Sequence, residues 1–298
     1  MPAIFVETYV RADIDRVWEL TQDPELHQRW DLRFTEISYL PKEKDAPQRF
    51  LYRTNIGFGL PIAGEGESVG VKNSEGGTRT SALKFWSKDR RSLILEGSGY
   101  WQYEPDGDGL WFRTSYDYKV RYGALGRVLD LAFRPIIGAA TAWSFEAMRL
   151  WAERGILPET SVMRMRVHSV ARIALAVVWI YQGLVPKLLF PNLGEITITL
   201  STGVGDESAP LVVLLMGIGE VLLGLALLGF WRARWLLAFQ AALPVLLPLG
   251  FIIWNPSIFV APFNPTVIAI CMVALGAVGL IAARDVPFAA NCRRRPPK

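Results

Sequence analysis

Between residues 112 and 122 the chain alternates strictly. Phe112, Thr114, Tyr116, Tyr118, Val120 and Tyr122 fall on one parity, and Arg113, Ser115, Asp117, Lys119 and Arg121 on the other. A period of two predicts a strand with one aromatic and one charged face. Residues 3–10 are strand-like, and Phe50 and Tyr52 alternate with Leu51 and Arg53 in the same sense. The stretches Asn73-Ser74-Glu75-Gly76-Gly77 and Pro105-Asp106-Gly107-Asp108-Gly109 each separate two extended runs and predict hairpins. Asp13 is placed to cap a helix through Leu20. Asp23 is placed to cap a second that opens on Pro24 and ends near Trp30-Asp31. From Ala124 the period becomes helical: Leu125, Val128, Leu129, Ala132, Ile136 and Trp143 form an apolar stripe, while Arg127, Asp130, Arg134, Glu146 and Arg149 take the other face. Pro135 is expected to kink or divide this helix. Beyond residue 160 lie four apolar runs, at 170–189, 210–230, 236–253 and 266–283. Each is close to the ~20 residues that a helix needs to cross a bilayer.

Strand, two short helices, about six strands and a long helix predict an α+β first half: an antiparallel sheet around one helix. That order resembles the START/polyketide-cyclase-like (SRPBCC) superfamily over roughly residues 1–155. So does the stretch Asp23-Pro24-Glu25-Leu26-His27-Gln28-Arg29-Trp30-Asp31. The resemblance implies a helix-grip fold whose cavity takes a hydrophobic small molecule or lipid. The candidate lining is Trp30, Phe50, Tyr52, Phe112, Tyr116, Tyr118 and Trp143. The same aromatic residues are also what an ordinary core would use, and both readings stand at this point. His27 reads as an exposed helix residue.

Charge divides the chain as sharply as hydropathy does. Residues 1–160 hold 21 Lys/Arg and 23 Asp/Glu, and residues 161–298 hold 11 and 5, so the net +4 belongs to the apolar half. Aromatic residues interleaved with basic ones, as nucleic-acid binding needs, are absent, and no nucleic-acid partner is expected. Two cysteines, Cys271 and Cys292, make no disulfide framework. The two histidines, His27 and His168, are far apart with no cysteine partner, so no metal site is expected.

The loops between the apolar runs orient them. Arg164, Arg166 and Arg172 precede the first run, Arg232 and Arg234 follow the second, and Arg284 with Arg293-Arg294-Arg295 follows the fourth. The loop after the first run carries Glu195, Asp206 and Glu207 and no Lys or Arg. Basic loops stay in the cytoplasm, which predicts an integral protein of the cell membrane with both termini, and residues 1–160, on the cytoplasmic side. The expected domains are 1–158, a linker at 159–167, a four-helix membrane domain at 168–285 and a basic tail at 286–298.

Glu220 sits near the middle of the second run, where a carboxylate costs ~2.5–3.5 kcal/mol and usually faces a bundle interior or a polar cavity. Gln182, Lys187 and Gln240 are its candidate partners. At a rise of ~1.5 Å per residue, Glu220 lies ~15 Å from the outer end of its helix and Gln182 ~10 Å from its own, so Gln182 approaches level and Lys187 must reach inward. A polar clasp and a ligand or proton site are both open readings. Arg172, Trp179, Tyr181-Gln182-Gly183 and Pro186-Lys187, with Gly219-Glu220-Val221-Leu222-Leu223-Gly224, resemble the DoxX-like membrane family over about residues 168–284. The resemblance implies a quinone or a redox-protein partner, because no haem or cluster ligands are present.

These readings predict a membrane-anchored binding protein for a hydrophobic small molecule or membrane lipid. The alternatives are a quinone-linked oxidoreductase accessory subunit and a membrane-tethered cyclase- or hydrolase-like enzyme. No cofactor is evident, and quinone is the one left open. No nucleophile–base pair is visible, so catalytic residues stay unassigned and the chain reads as no enzyme on its own.

Overall fold

The structure is a computed structural model that describes residues 2–42, 44, 46–55, 60–262 and 264–296. The chain forms two compact units, Met1–Val162 with Pro287–Lys298, and Met163–Val286.

In the first unit, strand β1 (Ile4–Val10) leads into helices α1 (Ile14–Gln22) and α2 (Pro24–Trp30). Asp13 Oδ1 accepts from the backbone N–H of Asp15 at 2.7 Å, and Asp23 Oδ1 accepts from Glu25 at 2.8 Å, so both acidic caps act as their positions predict. Six strands follow: β2 (Glu36–Tyr39), β3 (Arg49–Asn55), β4 (Pro61–Asn73), β5 (Arg79–Trp86), β6 (Ile94–Asp106) and β7 (Gly109–Val120). All neighbours are antiparallel, in the order β1-β7-β6-β5-β4-β3-β2. The β6–β7 hairpin turns on Gly107 and Asp108, with Gly107 at φ 58°, a conformation that glycine adopts without a Cβ penalty.

Helix α3 (Gly123–Arg154) runs unbroken through Pro135. Its second half is buried on every side. One face carries Phe145 and Met148 into the sheet core with Val6, Phe112 and Trp101. The other is covered by the end of the chain: Trp143 donates its indole N–H to the Pro287 carbonyl, Asn291 Nδ2 donates to Glu146 at 2.6 Å, and Cys292 joins the core. Arg293 then pairs with Glu7 as a β-bridge, each backbone N–H donating to the other carbonyl at 2.9 Å. That bridge covers the free edge of β1, a row of unpaired groups that sheets do not leave open. The reading of 286–298 as a separate basic tail is thus corrected: residues 287–296 are part of the first unit, and residues 297 and 298 lie outside the described residues. Residues 159–167, read as a linker, lie in the helix α4 (Pro158–Gln182).

In the second unit α4 continues into a π-helical turn, Gly183–Leu189. Helices α5 (Glu195–Leu200), α6 (Ala209–Gly229), α7 (Arg234–Leu246), α8 (Leu249–Trp254) and α9 (Pro265–Ala282) follow. Among the described residues, four stretches are long and apolar enough to cross a membrane: Pro158–Leu189, Ala209–Gly229, Arg234–Trp254 and Pro265–Ala282. Leu175, Trp179, Leu223, Leu227, Leu237 and Met272 form the core. Arg172, counted above with the basic flank, is wholly buried instead. It donates to the carbonyls of Leu227 at 2.6 Å, Phe230 at 2.5 Å and Ala233 at 3.3 Å, satisfying the C-terminal end of α6.

Candidate functional site

The strand register assembles one concave face. Phe112, Tyr116 and Tyr118 of β7 share it with Gly97, Gly99, Trp101 and Tyr103 of β6. Leu83 and Phe85 of β5, Gly64 and Gly66 of β4, and Phe50 and Tyr52 of β3 continue it. Glycine stands where rings from a neighbouring strand lie across bare backbone. A Cβ at Gly64 would stand 2.1 Å from the Tyr52 ring, and one at Gly97 2.4 Å from Phe85.

The face has two halves. Along β1, β7 and β6 it is closed: Trp30, Tyr103, Phe112 and Phe145 are fully buried, and Phe112 stacks on Phe145 at 4.4 Å. Along β3–β5 it is open, since Phe50, Tyr52, Leu83 and Phe85 stay only half-buried although they point to the concave side. Phe34 packs edge-on against Tyr52 at 5.4 Å there. Burial pushes the Tyr52 phenol up to about 12.

A charged cluster stands where the halves meet. Arg33 holds Asp31 by two bonds, Nε to Oδ1 at 2.8 Å and Nη2 to Oδ2 at 2.6 Å, and donates through Nη1 to Thr141 Oγ1 at 3.1 Å. Tyr116 Oη reaches the same Thr141 oxygen at 2.8 Å. His27 Nε2 lies 3.0 Å from Asp31 Oδ2, and Ser144 Oγ lies 3.2 Å from Oδ1. Burial alone would raise the Asp31 carboxyl, but the charge and hydrogen bonds of Arg33, helped by His27, hold it below the usual carboxylate range. Burial works against the Arg33 charge, and Asp31 outweighs it, so the guanidinium is held above its ordinary value. Three of its five N–H groups are spent on Asp31 and Thr141, and the Tyr116 hydroxyl is a further hydrogen-bond partner. The Arg33 Cζ lies 5.4 Å from the Phe34 ring and 5.6 Å from the Tyr116 ring. A fixed cation thus borders a half-buried aromatic face, an arrangement suited to an apolar molecule with an anionic or carbonyl head.

Of the expected lining, Phe50 and Tyr52 border the cleft and Tyr116 stands at its inner end. Trp30 and Phe112 fill the closed half, with the Trp30 indole donating to the Leu20 carbonyl at 2.7 Å, and Tyr118 donates to Asp130 at 2.7 Å. Trp143 does not face the sheet. It lies two residues from both Thr141 and Phe145, which at ~100° per residue puts it on the opposite side of α3. His27 is also corrected: its side chain is 13% exposed and packs between Trp30 and Trp101. Its i,i+4 spacing to Asp31 was a readable sign. Arg33 was missed, and only its position two residues after Asp31 hinted at the pair.

The second unit carries its own charged cluster. Lys187 Nζ stands 3.2 Å from Glu220 Oε2 and 3.4 Å from Glu195 Oε2, and both Lys187 and Glu220 are buried. The close approach depends on glycine, because a Cβ at Gly183 would meet the Gly217 carbonyl at 2.5 Å. Gln240 stands elsewhere, its Oε1 accepting from the Trp179 indole at 3.4 Å, and Gln182 is exposed. Glu195, read only as a loop charge, completes the cluster.

Residues 176–277 match the DoxX-like family. The chain is 46% identical over 182 residues to the uncharacterized membrane protein YndG of Bacillus subtilis (strain 168), an alignment that covers 60% of this chain and 68% of that one. Solved structures similar to the first half include the Zhui aromatase/cyclase of Streptomyces sp. R1128 (13% identity, TM-score 0.39, 51% of this chain and 96% of that one). Human StAR-related lipid transfer protein 5 is another (15% identity, TM-score 0.39, 49% and 73%). TTHA0849 of Thermus thermophilus is a third (18% identity, TM-score 0.39, 51% and 99%).

Proposed function

This chain belongs to the membrane-protein family of YndG, with a DoxX-like domain at residues 176–277, and from that premise we propose that its first unit binds a hydrophobic small molecule or lipid. The observation that carries the reading is Arg33, a half-buried guanidinium with hydrogen-bonding capacity left after Asp31, Thr141 and Tyr116, at the inner end of a half-open aromatic face. The ligand is an amphipathic molecule whose apolar body lies on Phe34, Phe50, Tyr52 and Phe85 and whose anionic or carbonyl head meets Arg33. Mass spectrometry of detergent-purified full chain tests this against the Asp31→Asn/Arg33→Met double variant, which removes the pair without stranding a charge. Such a molecule is expected with the wild type and lost with the variant. Its absence from both, or equal retention by both, overturns the reading.

The path of the chain supports a cytoplasmic placement. It leaves the first unit at residue 162 and re-enters it at 287. A folded unit occupies one side of a membrane, so the segment between crosses an even number of times, as four spans do. Arg164, Arg166, Arg232 and Arg234, on loops of the same side, support the cytoplasm as that side. Reporter fusions after Lys298 and within the 203–206 loop should be active on opposite sides of the membrane, and activity on the same side rejects the topology.

A further inference from the structure

Helix α3 is built the wrong way round for a soluble helix over its first half. Leu125, Val128, Leu129, Leu131 and Ile136 are between 50% and 65% exposed. At ~100° per residue they and the positions between them span an outward arc of ~160°. Only alanine and proline share that arc, and it holds no charge. The charged pair of the same segment is turned inward, with Asp130 buried and its Oδ2 2.9 Å from Arg134 Nε. Over the first half of α3 the apolar stripe therefore faces out. Gly126 shows why the helix cannot roll: a Cβ there would meet the Arg121 carbonyl at 1.7 Å, so this face is pressed against the end of β7.

We infer that this arc is a membrane-docking face, which lays the first half of α3 into the headgroup region of the bilayer that the second unit spans. Two observations name the occupant. The first is connection: only Gly155, Ile156 and Leu157 separate α3 from α4, which opens the first candidate span, so the chain leads from this helix directly to a bilayer. The second is charge. Arg127 borders the arc and is exposed, with no ion-pair partner among the described residues. Tyr122, which opens α3, hydrogen-bonds the carbonyl of Arg90, and Arg90 is likewise exposed and without an ion pair among the described residues. Acidic residues are absent from the first turn of α3. An uncharged apolar face with unspent arginines at its rim fits an anionic lipid surface, into which such helices sink by ~5–10 Å. Docking here also brings the helix that borders the ligand cleft to the lipid, so the molecule proposed above reaches the cleft without crossing water. The docking itself does not depend on that reading.

The test uses the full chain with Cys271→Ser, reconstituted into vesicles containing anionic phosphatidylglycerol. An environment-sensitive fluorophore is attached at Val128→Cys, at Leu125→Cys, or at Lys72→Cys as an exposed control on β4. Labels at 125 and 128 are expected to be several-fold less accessible to aqueous iodide than the label at 72. They are also expected to be quenched by brominated lipid acyl chains, and to lose most of that protection in Arg90→Glu/Arg127→Glu protein. Equal iodide access at all three positions overturns the inference. Protection without lipid quenching overturns it too: the face is then covered by another copy if energy transfer between labels at 128 appears, and by the chain's own second unit if it does not. Absence of the ligand from both wild-type and Asp31→Asn/Arg33→Met protein, or its equal retention by both, with docking intact would count against the cleft alone.

Discussion

Arg33 and Asp31, two residues apart, form a two-point ion pair inside the first unit, with the carboxylate fully buried and the guanidinium side chain 14% exposed. Buried pairs of this kind add little net stability compared with an apolar filling, but each charge needs the other.

The pair sets an acid limb on stability. Asp31 is held below its unfolded value, so its contribution is complete above that value, about 3.9, and is lost as pH falls through the lower folded value. Urea midpoints read by tryptophan fluorescence should show wild type and Asp31→Asn differing most above pH 4 and converging in stronger acid. A constant gap across pH 2–7 would contradict this.

In the second unit Lys187 answers two carboxylates. Lys187→Met should destabilise the detergent-solubilised protein by about 3–5 kcal/mol, because the removal of one partner strands buried charge. Lys187→Met/Glu220→Leu should recover most of that loss in thermal unfolding. Equal melting of the single and double variants would show that the two residues do not interact.

Arg172 caps α6 from a distance of 55 residues along the chain. Arg172→Leu takes one donor from each of three carbonyls, of which Phe230 and Ala233 keep a backbone donor, and should cost about 1–3 kcal/mol. Arg172→Lys, which lacks the planar fork, should restore only part of it. A melting temperature unchanged in Arg172→Leu would remove the capping role.

Gly97→Val should destabilise the first unit by about 1–3 kcal/mol, since a Cβ at this position meets both the Phe85 ring at 2.4 Å and the Asp117 carbonyl at 2.6 Å. The backbone oxygen cannot swing away as a ring can. Gly70→Val, with open space around it, is the control and should be near neutral by chemical unfolding.

Cys292 reports on the returning chain end. Burial, reinforced by Glu146, pushes its thiol up to about 12, so maleimide should label it slowly in Cys271→Ser protein. Asn291→Ala removes the bond to Glu146, worth roughly 1.5 kcal/mol as a hydrogen bond to a charged group, and should raise the labelling rate about tenfold. An unchanged rate would mean that the segment is held by other contacts.

What the sequence by itself determined about this protein is what local chemistry decides. The alternation at 112–122 marked β7, Asp13 and Asp23 marked two helix starts, and four apolar runs marked four spans. Each of these follows from neighbours within a few residues, where periodicity and capping act. The depth of Glu220 in its run likewise announced a polar site before any partner was known. Tertiary structure decided the rest. A stripe on α3 states that the helix has two faces and not which one turns inward; the choice was made by the contact of Gly126 with the end of β7 and by the inward Asp130–Arg134 pair. The cleft needs glycine on β4 and β6 opposite rings on β3 and β5, a matter of register. Cys292 enters a core whose other members lie more than a hundred residues earlier, and Glu195 joins Lys187 only because the chain breaks at Pro191 and turns back. Such contacts are set by the closure of the whole fold, and no window of sequence holds both partners.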